Sequence, residues 1–61
     1  MTPEVERWAE ALHVERVHGT KAPTVIAEQM SALALAGDEA GVRRWKAIAE
    51  RYDQLQTGRP Q

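Results

Sequence analysis

Apolar residues recur along this chain at the spacing of helices and nowhere alternate as they would in strands. Val5, Trp8, Ala9 and Leu12 fall on one face of a first segment, and Val17 widens that stripe. Thr2 can accept hydrogen bonds from the exposed amides of a first turn. Pro3 stands where its missing N–H costs nothing, and Glu4 and Glu6 complement the positive end of the helix dipole. Gly19 supplies the left-handed conformation that ends a helix. The pattern predicts a helix over residues 3–18.

His18 to Pro23 reads as a connector, with Pro23 in the first turn of a second helix that runs over 23–36. In that helix Val25, Ile26, Met30, Leu33 and Leu35, with Ala27, Ala32, Ala34 and Ala36 between them, cover most of the circumference. A helix apolar on several sides touches several neighbours, which predicts that the second helix is the middle element. Gly37 and Asp38 then mark a boundary, glycine ending one helix and aspartate capping the next. Over 39–57, Val42, Trp45, Ile48, Ala49, Tyr52 and Leu55 repeat at steps of three, three, one, three and three, the most amphipathic pattern in the chain. Gly41, in the first turn, costs up to about 1 kcal/mol relative to alanine and leaves room for a close backbone approach. The expected architecture is all-α: one compact three-helix domain over residues 1–58, with helices packing in sequential order, and a frayed tail over 59–61.

Composition limits what such a domain can be. Of 61 residues, twenty-six are apolar and ten of those are alanine, so the core is short of bulk. A cleft between two domains, a doubly wound sheet and a large barrel are excluded by length. With no cysteine, neither disulfides nor thiolate metal sites compensate for the small core. A net charge of −1 gives no general attraction for phosphate backbones or anionic lipid. No apolar run approaches the roughly 20 residues of a membrane span, and the opening Met1, Thr2, Pro3, Glu4 is unlike a secretory signal. A cytoplasmic protein with no membrane association is expected.

Few residues suggest chemistry. Glu10 with His13, and Glu15 with His18, have the Glu-x-x-His spacing of carboxylate-bridged metal sites in helical bundles. The two histidines point about 140° apart on the helical wheel, so one site cannot use both. Glu15, His18 and Glu28 form a candidate polar cluster around the connector, whose simplest role is to fix it, because a histidine is favourable at a helix C-terminus. No serine, threonine or lysine is placed beside a base and an orienting group, and no glycine-rich phosphate loop occurs. The expectation is a non-catalytic protein without cofactor or metal.

Arg43, Arg44 and Lys46 flank Trp45, and with Arg51 they are the candidate contacts of a helix-turn-helix-like nucleic-acid binder. On the wheel they surround the polar side without forming one stripe, and Glu39 with Arg43 and Lys46 with Glu50 are spaced to pair within the helix. A solvated, salt-bridged face is the simpler reading. Trp8, Trp45 and Tyr52 fall on the apolar stripes as core anchors. Val14, nearly opposite Val5, and Leu35, on the same side as Glu28, fit the stripes less well. Val14, Glu28 and Leu35 are therefore the candidate interaction surface for a homodimer or another protein.

The chain also resembles a family of short, uncharacterised alphaproteobacterial proteins, a domain of unknown function of about this length. The resemblance rests on Glu15, Arg16, His18 and Gly19, on Ala22, Pro23, Ile26, Ala27 and Glu28, on Leu33, Ala34, Gly37, Asp38 and Gly41, and on Trp45, Ile48 and Ala49. It implies a free-standing small bacterial protein with no catalytic residues to carry over. The leading functional expectation is a protein-interaction module able to self-associate, and the alternative is the nucleic-acid binder.

Overall fold

A computed structural model describes residues 2–58, and the expected tail over 59–61 lies outside the described residues. Three helices form, α1 (Pro3–His18), α2 (Ala22–Leu35) and α3 (Glu39–Thr57), with a single 3-10 turn, Gly19–Lys21, joining the first two. Each boundary has a local cause. The Thr2 hydroxyl accepts the Val5 N–H at 3.2 Å, and Pro3 opens α1. Gly19 takes a φ of 55° that an L side chain resists, and the chain turns there. Gly37, at φ 76°, closes α2: the Asp38 N–H bonds the Leu33 carbonyl at 2.9 Å and the Gly37 N–H bonds the Ala34 carbonyl at 3.1 Å, the two bonds of a Schellman motif. Asp38 then caps α3, its Oδ1 accepting the Gly41 N–H at 2.9 Å. A Cβ on Gly41 would lie 2.7 Å from Asp38 Oδ2 and 3.1 Å from Leu33 Cδ2, so the room at Gly41 is taken by two side chains and not by an approaching backbone.

The packing order differs from the expected one. It is α3, more than α2, that packs extensively on both other helices, while α1 and α2 make only a small contact with each other. The two form a bent arm whose halves each lie on α3. Physically, the broad apolar character of α2 reflects its many alanines, which are small enough to remain at the surface, whereas the larger residues of α3 form a true stripe. Val42, Trp45, Ile48, Ala49, Tyr52 and Leu55 are all buried or half-buried.

The core consists of Ala11 and Val14 from α1, Ala22 and Ile26 from α2, and Ile48 and Tyr52 from α3, with Met30, Trp45, Ala49 and Leu55 against it. Here Val14 needs correction: at 5 % exposure it is a core residue and no part of an outer surface. Conversely Val5, Leu12 and Val17, expected to line the buried face of α1, are 50 %, 46 % and 57 % exposed. The reason is the angle at which α1 meets α3. Glu4, Glu10 and Glu15, in that order along α1, reach Arg51, Arg44 and Gln56, an order that is neither parallel nor antiparallel. Helix α1 therefore crosses α3 obliquely. An oblique crossing buries a short central patch, here the small Ala11 and Val14, and lets both ends splay into solvent. The resulting molecule is flattened, 39 × 27 × 17 Å.

Candidate functional surfaces

The edges of the α1–α3 crossing carry the long-range charge pairs. Arg51 presents Nε and Nη2 to the two oxygens of Glu4 at 2.8 and 2.6 Å, a bidentate pair, and its guanidinium lies 5.6 Å from the centre of the Trp8 ring. Two turns nearer the start of α3, Glu10 accepts from two arginines: Arg7 Nη1 at 2.6 Å through Oε1, and Arg44 through Oε2, with Nε at 2.9 Å and Nη2 closer still. Hydrogen bonding to Arg51 lowers the Glu4 pKa against a smaller opposing effect of desolvation, and the charge of Arg51 and the Trp8 indole act in the same direction. At Glu10 burial is the largest single influence and raises the pKa, but the combined hydrogen bonds and charges of Arg44 and Arg7 outweigh it, so the net shift is downward. Arg44 and Arg51 are correspondingly raised, each chiefly by the hydrogen bond to its carboxylate.

These pairs redirect the candidate nucleic-acid contacts. Arg44 and Arg51 face carboxylates of α1, while Arg43 and Lys46 stay exposed, Arg43 beside Ala34, Asp38, Glu39 and Val42 at the α2–α3 turn. The intrahelical pairs expected of Glu39 with Arg43 and Lys46 with Glu50 are not formed among the described residues. Sequence reasoning missed the pairing with α1. Its signal was present in the three acids Glu4, Glu10 and Glu15 on one helix and the cations Arg44 and Arg51 on another, but wheel positions within one helix do not say which helices meet.

The connector cluster is not drawn together as a site. Glu15 accepts from Gln56 Nε2 on α3, His18 is exposed at the end of α1, and Glu28 lies on the outer face of α2. Among the described residues no three histidine, aspartate or glutamate side chains converge as metal ligands would. No helix among them is long and apolar enough to cross a membrane. A small cleft of about 290 Å³ between α1 and α3 is lined by Ala9, Glu10, His13, Val14, Trp45 and Ile48, and its only carboxylate is the one already held by two arginines.

The outer face of α2 carries an open depression. Pro23, Thr24, Ala27, Glu28, Ser31, Ala32 and Leu35 line a shallow depression, and Leu35 stands at its end with 90 % of its surface exposed. Two of the three residues expected on an interaction surface, Glu28 and Leu35, thus share one face. No curated protein and no solved structure matches the chain. A family model, described as a family of unknown function (DUF6961), matches residues 4–59, which takes in α2, α3 and all of α1 but Pro3. On that match, this chain of three helices is a member of the DUF6961 family.

Proposed function

We propose that the protein is a small, non-catalytic interaction module of the bacterial cytoplasm, of alphaproteobacterial origin and able to self-associate, whose docking face is the outer side of α2. The observation that carries this reading is Leu35, a large aliphatic side chain 90 % exposed at the end of a depression floored by Ala27 and Ala32. Covering a leucine fully is worth about 1.5–3 kcal/mol, and the small neighbours allow a partner backbone to come close. The nucleic-acid alternative is weakened by geometry, since two of its four cations, Arg44 and Arg51, already face carboxylates.

The test is light scattering over a range of micromolar concentrations, with affinity capture from bacterial lysate run in parallel, for the natural chain and for Leu35→Glu. The reading expects association, or a captured protein, that Leu35→Glu abolishes while helicity is kept. A chain that is monomeric throughout and captures the same proteins with either residue would sink it.

A further inference from the structure

Helix α1 is joined to the rest of the chain in a way that lets two copies exchange it. We infer that the face of α3 beneath α1 is also a docking surface for α1 of a second copy, so that two chains trade their first helices about a hinge at Gly19. This exchange makes no use of the outer face of α2.

The segment to be exchanged already stands apart. It packs mainly on α3 and makes only a small contact with α2. Its link to α2 is the turn Gly19–Lys21, and between Pro3 and Leu35 Gly19 is the single residue with a positive φ. His18 before it, and Lys21 and Ala22 after it, keep helical dihedrals. The bend therefore turns on one glycine, at φ 55° and ψ −127°, and a rotation there swings α1 off α3 while both helices stay wound. A Cβ at Gly19 would meet nothing within 4 Å, so the hinge stands in the open. Short, sharply bent hinges favour exchange, because the closed chain must hold the bend and the exchanged one need not.

What α1 leaves behind is a surface fitted to α1. Ala11 and Val14 share the core with Ile48 and Tyr52, so their departure uncovers apolar surface of α3 that must be covered again. Around that patch Arg51 waits for Glu4, Arg44 for Glu10 and Gln56 for Glu15, three points whose order fixes one orientation of the incoming helix. A second copy carries the same carboxylates at the same spacing, and charge complementarity thus identifies it as the occupant. Two-fold exchange remakes every α1–α3 contact in both chains, so the two forms differ only in the hinge and in the entropy of association. Closure within one chain competes at an effective concentration of about millimolar order, and exchange of the natural chain is expected only toward that concentration.

Two charge-reversed chains test the exchange: Glu4→Arg with Glu10→Arg in one, Arg44→Glu with Arg51→Glu in the other. Alone, each chain sets like charges across its own α1–α3 contact. Mixed, the exchanged helices bring opposite charges together in both contacts, and native mass spectrometry is expected to show the heterodimer about tenfold over either homodimer. Gly19→Ala with the natural charges is the second variant. An L side chain resists the closed φ by about a factor of ten, and relief at two hinges is expected to tighten the natural dimer about a hundredfold. Both experiments are repeated with Leu35→Glu, which the exchange tolerates.

Folded reversed chains that give no heterodimer on mixing, or dimers as abundant in either chain alone, overturn the exchange. Where the reversed chains stay unfolded even when mixed, Gly19→Ala decides: a tightened dimer supports the exchange, and a monomer at millimolar concentration overturns it. Dimers that vanish with Leu35→Glu belong to the outer face of α2, so the exchange falls and the docking face stands. Dimers that survive Leu35→Glu, from a chain whose captured proteins are also indifferent to it, uphold the exchange and remove the docking face.

Discussion

Helices α1 and α2 both lie on α3 but are held there by different means. For α2 the attachment is local and mostly apolar: a three-residue turn, a Schellman motif, the Asp38 cap, and Leu33 packed close over Gly41. For α1 the buried apolar contribution is small, Ala11 and Val14, and the rest comes from charge pairs with residues 34 and 47 positions away. Closing a long loop costs entropy before any contact rewards it, and exposed ion pairs return little. The arm formed by α1 is thus expected to open before the α2–α3 hairpin. What the ion pairs add is direction. Carboxylates at three points along α1 reach three separated points of α3, which fixes an oblique crossing that two small side chains could not fix by shape.

The largest expected effect would break both attachments at once. Ile48 is 2 % exposed and belongs to the core shared by all three helices. Truncating such a side chain costs about 2–5 kcal/mol, against a total of roughly 3–9 kcal/mol for a chain this size. Ile48→Ala is therefore expected to remove a large part of the total stability, visible as a strongly lowered denaturation midpoint. A variant with an unshifted denaturation midpoint would mean the three helices do not share one core.

A smaller change separates the two regions. Asp38→Ala removes the cap of α3 at a cost of about 0.5–2 kcal/mol and should leave the charge pairs of α1 untouched. Native-state hydrogen exchange is expected to quicken first at Gly41 and the first turn of α3. If α1 lost more protection than α3 in this variant, the hairpin and the arm would be one cooperative unit and the contrast between them would fail.

The same contrast explains what was legible in the sequence. Helix ends were legible because they are set by neighbours: Thr2 and Pro3, Gly19, Gly37 with Asp38, each acting within one turn. The face of α3 was legible because a long helix packed on both others shows a full-length stripe. The face of α1 was not. Its larger residues Val5, Leu12 and Val17 suggested the wrong side, because at an oblique crossing the buried residues are those small enough for close approach, and the crossing angle is set by Arg44 and Arg51 far along the chain. Glu28 and Leu35 were found together because they lie a helical repeat apart on one element. Val14 was grouped with them only because the stripe of α1 had been placed on the opposite side.

The smallest effect is the one that tests the charge pairs alone. Glu4 and Glu10 both have pKa values lowered from the ordinary 4.5 in the folded chain. A depressed carboxylate contributes stability that is fully present above its unfolded pKa and is lost as pH falls through its folded one. Stability should thus be flat near neutrality and decline below about pH 4.5, with α1 loosening first. Glu10→Gln removes one of the two acid-sensitive pairs. It should be slightly less stable than the natural chain at neutral pH and converge with it as pH falls through the lowered folded pKa of Glu10, below which the natural Glu10 is protonated as well. Thermal melts of the two chains across that range decide the matter. A gap that stays constant down to the lowest pH would mean Glu10 acts through its half-buried side-chain packing and not through Arg7 and Arg44.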